Sequence, residues 1–371
     1  MSAAASLTGV AVDGLDVAAY QVPTATDDES DGTLVWDSTA IVVVEAHGGG
    51  RTGLGYTYCQ PAAAEVIRGK LAGVVVGADA LAPPRAWAEM QVQARQMGHA
   101  GIAEMAISAV DVALWDLKAK LLDVCLADAL PRFRDSVPVY GSGGFTNYSL
   151  ERLRDQLAGW VGQGFRSVKI KVGRDKPADV ERLAAARAAI GDGVELMVDG
   201  NGAYTPKEAL YWAGRFAADH GVTYFEEPVT SQDLEGMHLV RERGPAGLAI
   251  AAGEYGWNLP YFHTMLDAGA VDILQADVSR CGGITNLLRV DGLCKARAMP
   301  FSAHCVPAVI AHAGCALETI VHAEYFFDHQ RIESMLFEGT LDPSDGLLAP
   351  DRSRPGLGLE LRRADAARYE V

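Results

Sequence analysis

Cysteine is sparse and unpatterned in this 371-residue sequence. Cys59, Cys125, Cys281, Cys294, Cys305 and Cys315 form no C-x-x-C pair and stand at no matching histidine spacing, which argues against a zinc site and against a disulfide framework. Reduced core thiols in a cytoplasmic protein are the expectation. Long apolar runs are missing too: no stretch reaches membrane-spanning length. Met1 to Tyr20 also lacks a basic region followed by a continuous apolar segment, because Asp13 and Asp16 interrupt it. Positive charge is scarce, with 32 Lys and Arg against 48 Asp and Glu and a formal net charge of -16. That balance supplies no cationic surface for nucleic acid or an anionic membrane, and leaves room only for a local basic site. What the chain does have, 49% hydrophobic residues, is enough core for one large domain or two ordinary ones.

The first 60 residues carry β-type runs at Ser6 to Val12, Ala40 to Ala46 and Gly53 to Cys59. His47-Gly48-Gly49-Gly50-Arg51 reads as a hairpin turn between the last two, since glycine accepts positive φ without strain. Gly53-Leu54-Gly55 is not a phosphate loop, because no third glycine and no following helix support it. The acidic stretch Thr24 to Gly32 is not a core element; it is either a solvated loop or a lid over a site elsewhere. From Ala62 to about Leu130 the pattern turns helical. Between Gly101 and Lys120, apolar residues Ile102, Met105, Ala106, Ala109, Val110, Ala113, Leu114 and Leu117 mark one buried helix face. Residues 1–130 therefore read as a small α+β domain.

After Val137-Pro138-Val139-Tyr140 the organisation changes. Strand-like segments recur at Val168 to Lys171, Val194 to Asp199, Val222 to Glu226, Ala249 to Glu254, Val271 to Asp277, Met299 to His304 and Glu318 to Glu324, with helical stretches between them. Thr205-Pro206-Lys207-Glu208 is a helix start, and Ser149 and Gly164 bracket another helix. Alternation on this scale is the signature of a (β/α) barrel over residues 131–337, with a doubly wound open sheet as the alternative. Residues 338–371, rich in Pro, Gly and Asp, form a segment expected to pack back on the first domain.

Lys169 and Lys171 stand at i and i+2 on one strand and so leave the same face. Two ammonium groups that close lower each other's pKa toward a value at which one acts as a base, unless the strand is a solvated edge. Asp199, Glu226 and Glu254 end three consecutive segments and converge at the C-terminal mouth, where active sites on barrels are built. Three converging carboxylates repel and desolvate one another unless a cation neutralises them, and Mg²⁺ with oxygen ligands does so. Asp277 and His304 end the next two segments, close enough for an Asp–His hydrogen bond that orients the imidazole and raises its basicity. Glu324 faces inward with His322 on the last strand. Asn201 and Arg280 fall either at the mouth, or in a turn and a surface ion pair.

Lys169-Ile170-Lys171, Asp199-Gly200-Asn201, Glu226-Glu227-Pro228, Gly253-Glu254, Asp277 to Gly283 and His304 together resemble the enolase superfamily, mandelate racemase subgroup. Ala106 to Leu117 is similar to the helix that joins that family's two domains. The resemblance covers nearly the whole chain. It implies an α+β capping domain on a modified (β/α)7β barrel, with Mg²⁺ held by Asp199, Glu226 and Glu254. It also implies Lys171 and His304 as acid/base groups, Lys169 and Asp277 as their electrostatic partners, and Glu324 as a hydrogen-bonding partner of the substrate carboxylate. Such a site takes the proton α to a carboxylate and stabilises the enediolate. The expected activity is a lyase, an acid-sugar dehydratase, with a racemase, epimerase or cycloisomerase as the runner-up. A silent binding barrel is disfavoured because no ring residue is missing, and a metal-dependent hydrolase because the first strand lacks H-x-H. The family likeness also implies a homo-oligomer acting on a small carboxylate.

Overall fold

The computed structural model describes residues 9–371, so Ser6 to Thr8 of the first expected strand lie outside the described residues. Of the rest of that run, Gly9 is in a turn and Ala11 forms an isolated bridge to Asp79. A three-stranded antiparallel sheet follows, made of β1 (Gly14–Pro23), β2 (Ser38–Gly48) and β3 (Arg51–Thr57) in that order. β2 and β3 form the expected hairpin, with Gly49 and Gly50 both at positive φ in the turn. Ile41 to Val44 of β2 are buried on both faces of the sheet. Val42 and Val44 join the capping-domain helices, while Ile41 and Val43 join the core that runs on into the barrel.

The helix Ile102–Leu121 is buried nearly all round rather than along the single stripe its periodicity marks. It lies between the sheet and the barrel helix Gly283–Ala296, so its polar residues are satisfied by tertiary contacts instead of water. The Asp111 carboxylate accepts from the Thr285 backbone N–H (2.8 Å) and hydroxyl (2.6 Å), and Ser108 Oγ accepts from the Gly282 N–H (2.8 Å). Gly53 and Gly55 allow the close approach of β3 to this helix: a Cβ at either would sit 2.2 Å from the carbonyl oxygen of Ala113 or Ala109.

The second domain is a closed parallel barrel of eight strands: β4 (Val137–Gly143), β5 (Ser167–Lys171), β6 (Glu195–Asp199), β7 (Val222–Glu226), β8 (Ala249–Ala252), β9 (Ile273–Asp277), β10 (Phe301–His304) and β11 (Ile320–Phe326). β11 pairs with β4 and closes the ring, which rules out the open sheet. The Thr205–Glu208 capping box and the Ser149 N-cap both form. Inside the barrel, Tyr140, Met197, Tyr224 and Ala251 make an apolar floor, with the His322 ring 4.9 Å from that of Tyr140.

Residues after the barrel return to the first sheet. Leu126 N–H donates to the Gly356 carbonyl, and Gly356 N–H to Val124 (2.8 and 2.9 Å). The buried Asp116 carboxylate accepts from the N–H groups of Leu54 (2.6 Å) and Leu357 (2.5 Å) and pairs with Lys120 at 2.7 Å. It thus ties strand, helix and C-terminal segment at one point.

Two substitutions test this frame by chemical denaturation. Gly55→Ala is expected to lower stability by about 1–3 kcal/mol through overpacking against the helix. Asp116→Ala strands two buried donors and an ammonium, and is expected to cost about 3 kcal/mol.

Candidate active site

The barrel register sets the site. Lys171 pairs in register with Asp199, Asp199 with Glu226, and Asp277 with His304, so these side chains leave neighbouring strand ends at one level. Glu254 lies two residues past β8, in the turn rather than on the strand.

Lys169 is fully buried, with Nζ 2.6 Å from Glu226 Oε2, 2.8 Å from Glu324 Oε1 and 3.7 Å from Asp199 Oδ2. Lys171 Nζ donates to Asp199 Oδ2 at 2.5 Å. The sequence-based expectation that the lysines depress one another's pKa is corrected here. Burial and, for Lys171, the charge of Lys169 do pull downward, but the surrounding carboxylates outweigh them and both ammonium groups are held above their ordinary range.

Glu226 also accepts from Gln275 Nε2 (2.8 Å) and Tyr224 OH (3.3 Å), while its Oε1 is buried with no hydrogen-bond partner. Burial pushes its carboxyl up to about 8. Ligand atoms of Glu226, Glu254 and His304 lie within 4.8 Å of one another. Asp199 is turned toward the lysines, and its Oδ1 accepts from the Asn201 N–H at 2.9 Å.

On the other side, His304 Nδ1 is 2.7 Å from Asp277 Oδ2, and Nε2 is 2.8 Å from Glu254 Oε2. Asp277 Oδ1 accepts from the Ser279 N–H and hydroxyl, both at 2.7 Å. Burial works against the charge of Asp277, yet the His304 hydrogen bond and Arg280 hold it below its ordinary range. Glu324 Oε2 accepts from the Cys305 N–H at 3.2 Å. Burial again opposes its charge, but Lys169, His304 and Lys171 keep the carboxyl well below the usual range, so it is an acceptor as it stands.

Lys171, Asn201, Glu254, Arg280 and His304 line one cavity of about 470 Å³. Asn201 and Arg280 are therefore at the mouth. Arg280 reaches Asp277 (3.4 Å) and Glu254 (3.6 Å) rather than forming a surface pair. Only part of the segment Thr24 to Gly32 is solvated: Ala25, Asp27 and Asp28 are exposed, while Glu29, Ser30 and Asp31 are buried against the barrel mouth and Asp31 lines the cavity. Ser30 Oγ and Thr146 Oγ1 are 2.6 Å apart, Arg174 donates to the carbonyls of Asp31 (2.9 Å) and Leu34 (2.6 Å), and Thr33 Oγ1 donates to that of Asn201 (3.3 Å). A Cβ at Gly32 would meet the Gly200 carbonyl oxygen at 2.4 Å, which is how closely the lid sits.

Sequence reasoning named the region Gly48 to Tyr58 as a candidate cover for the barrel but missed the contacts it makes and several neighbours. Tyr58 of the capping domain stacks on His329 with ring centroids 3.4 Å apart, and both face the cavity. Gln275 could have been found by its i, i+2 spacing from Asp277. Glu227 is buried with Oε1 unpartnered, at a backbone φ of 37° that strand periodicity does not anticipate.

Comparison with known proteins agrees with this architecture. Residues 18–130 match the mandelate racemase/muconate lactonizing enzyme N-terminal domain, and residues 152–366 match the enolase C-terminal domain-like family. The chain is 34% identical to the 3,6-anhydro-α-L-galactonate cycloisomerase of Streptomyces coelicolor, over 94% of this chain and 96% of that protein. It is 32% identical to the arabinonate dehydratase of Saccharolobus solfataricus (74% and 75% covered) and 30% identical to the L-talarate/galactarate dehydratase of Salmonella typhimurium (87% and 80% covered). Among solved structures, a mandelate racemase/muconate lactonizing enzyme-like protein from Rubrobacter xylanophilus superposes with TM-score 0.95 at 61% identity, covering 97% of this chain and all of that one. A racemase from Streptomyces coelicolor with bound magnesium gives TM-score 0.90 at 31% identity, covering 97% and 100%. With both of its domains matched, the chain belongs to the mandelate racemase subgroup of the enolase superfamily.

Proposed function

We propose that this chain is a Mg²⁺-dependent lyase that removes the proton α to the carboxylate of a sugar acid and expels the β-hydroxyl as water. The observation that carries this reading is the ring itself: strand-end carboxylates at Asp199, Glu226 and Glu254, with Lys171 on one flank and the Asp277–His304 pair on the other.

The donor set fits a hard divalent ion. Asp199, Glu226 and Glu254 offer oxygen ligands only, and the buried Glu226 Oε1 has no partner of its own. Bound there, Mg²⁺ supplies positive charge to the substrate carboxylate as that group takes on its second negative charge.

The chain's own groups do the rest. Lys171 faces the cavity and, as the neutral amine, would take the α-proton. That form is favoured once Asp199, the carboxylate that keeps it charged here, is engaged as a metal ligand, and Lys169, behind it, adds a positive charge on the same side. Asp277 fixes the His304 ring through Nδ1; Nε2, paired with Glu254 Oε2 here, would give a proton to the departing β-hydroxyl once Glu254 is engaged as a metal ligand. The C–H and C–O bonds break, water leaves, and the resulting enol becomes a ketone. Glu324 lies at the same end, and a substrate carboxylate beside it favours the protonated form in which Glu324 donates a hydrogen bond. The docked residues Ser30 and Asp31 cover part of the mouth and narrow the access of bulk water. The likeness to the cycloisomerase over 94% of the chain supports a second reading, addition within the molecule from the same intermediate.

Among the described residues no helix is long and apolar enough to cross a membrane, and all six cysteines are buried and free, which supports a reducing compartment. Family likeness supports an assembly of identical chains, which light scattering measures.

Lys171→Ala is expected to lower kcat by roughly 10²–10⁴-fold on dehydration and to stop exchange of the α-proton in D₂O. His304→Asn is expected to stop dehydration while exchange at the α-carbon continues. Full activity in both variants would overturn the assignment. Exhaustive chelation is expected to abolish turnover and Mg²⁺ to restore it; activity that survives chelation counts against the carboxylate site. Ketone formation across a panel of sugar acids supports dehydration, and a rearranged acid without ketone supports cycloisomerisation.

A further inference from the structure

Proton abstraction at this site calls for no sulfur, yet the thiol of Cys305 lies against two of the groups at its centre. Neighbouring residues on a strand point to opposite faces. β10 ends at His304, however, and Cys305 and Val306 both take a left-handed backbone, each at φ 50°. The chain turns there, and Cys305 Sγ comes within 3.3 Å of His304 Nε2 and 3.1 Å of Glu324 Oε2. The third edge of the triangle, from Nε2 to Oε2, is 3.4 Å. All three residues are buried, and His304 and Cys305 line the 470 Å³ cavity.

Those edges have the size that a tetrahedral ion requires. Bonds of about 2.0–2.3 Å to nitrogen, oxygen and thiolate sulfur set the donors roughly 3.3–3.6 Å apart. The groups behind the donors suit it as well. Asp277 holds the His304 ring through Nδ1 at 2.7 Å, so Nε2 is the nitrogen presented, in the carboxylate–histidine arrangement common behind zinc. Lys169 takes the other Glu324 oxygen, Oε1, at 2.8 Å and leaves Oε2 to the thiol. Nε2 also pairs with Glu254 Oε2 at 2.8 Å, a contact that an ion beside the thiol would replace. Without an ion the thiol keeps its proton and donates to Glu324; binding releases that proton to solvent. The carboxylate ring differs in kind. Asp199, Glu226 and Glu254 offer oxygen alone and suit Mg²⁺, whereas imidazole with thiolate suits Zn²⁺.

We propose that His304, Cys305 and Glu324 form a second metal site, for Zn²⁺ or a cation of like softness, with water from the cavity as the fourth ligand. Its occupation switches the enzyme off by taking Nε2, the nitrogen that delivers the proton. The site itself stands apart from the proposed reaction; the inhibition rests on that reading.

The test sets the Mg²⁺-loaded full chain beside Cys305→Ser, which keeps the size of the side chain, and Cys305→Ala. Co²⁺, a coloured stand-in for Zn²⁺, is titrated into each under excess Mg²⁺ while the near-ultraviolet thiolate-to-cobalt band is followed. Inhibition by Zn²⁺ is then measured against each protein's own zinc-free rate on a sugar acid that the chain turns over. The expected result is a band in the unaltered chain that both variants lack, with zinc inhibition weakened in them by roughly 100-fold or more, at least the loss that follows removal of an outer partner of a metal ligand. No band, a band that persists in both variants, or a band without inhibition overturns the proposal. Inhibition of equal strength in all three proteins overturns it too, and assigns the ion to the carboxylate ring. A Cys305-dependent band in a chain that exchanges no α-proton leaves the metal site standing and overturns the proton-abstraction reading instead.

Discussion

Six buried carboxylates crowd one end of the barrel, and five of them, all but Glu227, are balanced by Lys169, Lys171, His304 and Arg280. None of Asp199, Glu226, Glu254, Asp277 and Glu324 is more than 3% exposed. Charges taken this far from water are tolerated only when each has an opposite charge or a donor within reach. The interlocked register of β5, β6 and β7 provides that for the lysine side, and the register of β9 with β10 provides it for the histidine side. Rearrangement of one pair therefore disturbs the next around the ring. An added cation would meet groups already poised to exchange partners.

The capping domain completes the site by packing rather than by chemistry. The helix Ile102–Leu121 has no solvated face to spare because it is wedged between the sheet and the barrel, and its Ser108, Asp111 and Trp115 bond to Gly282 and Thr285. Those two residues lie two and five positions after Arg280 in the chain. The joint between the domains and the histidine flank of the site are thus parts of one continuous polypeptide run. Across the cavity, Tyr58 against His329 and Thr39 against Asp328 at 2.5 Å make a similar joint on the last helix.

The barrel was legible in the sequence because parallel strands buried on both faces leave short apolar runs that end in charged residues, and each ring residue stood at such an end. Strand limits shifted by a residue or two where tertiary hydrogen bonds, not propensity, set them. The final strand runs on to Phe326, past the expected stop at Glu324, since β4 continues to pair with it. Partners were harder to read than positions. That Lys169 bridges Glu226 and Glu324, and that Asp199 turns to Lys171, depends on distances across the barrel that no local pattern encodes. The lid was ambiguous for a related reason: an acidic stretch looks solvated unless the Arg174 that receives it, about 140 residues on, is known.

The lid is held through its backbone carbonyls together with the side chains of Asp28, Ser30 and Thr33. Arg174 and Thr146 bind carbonyl oxygens of Ser30, Asp31 and Leu34, and Gly32 fits under the Gly200 and Val172 carbonyls because it has no side chain. Of the side chains that this stretch presents to the cavity, Trp36 also packs edge-to-face on Phe145 with ring centroids 5.4 Å apart, whereas Leu34 is exposed and docks through its carbonyl. At Leu34, anchorage and selectivity are encoded in different atoms of the same residue. A lineage can alter the cavity at Leu34 without first having to reinvent the docking, whereas a change at Trp36 alters both.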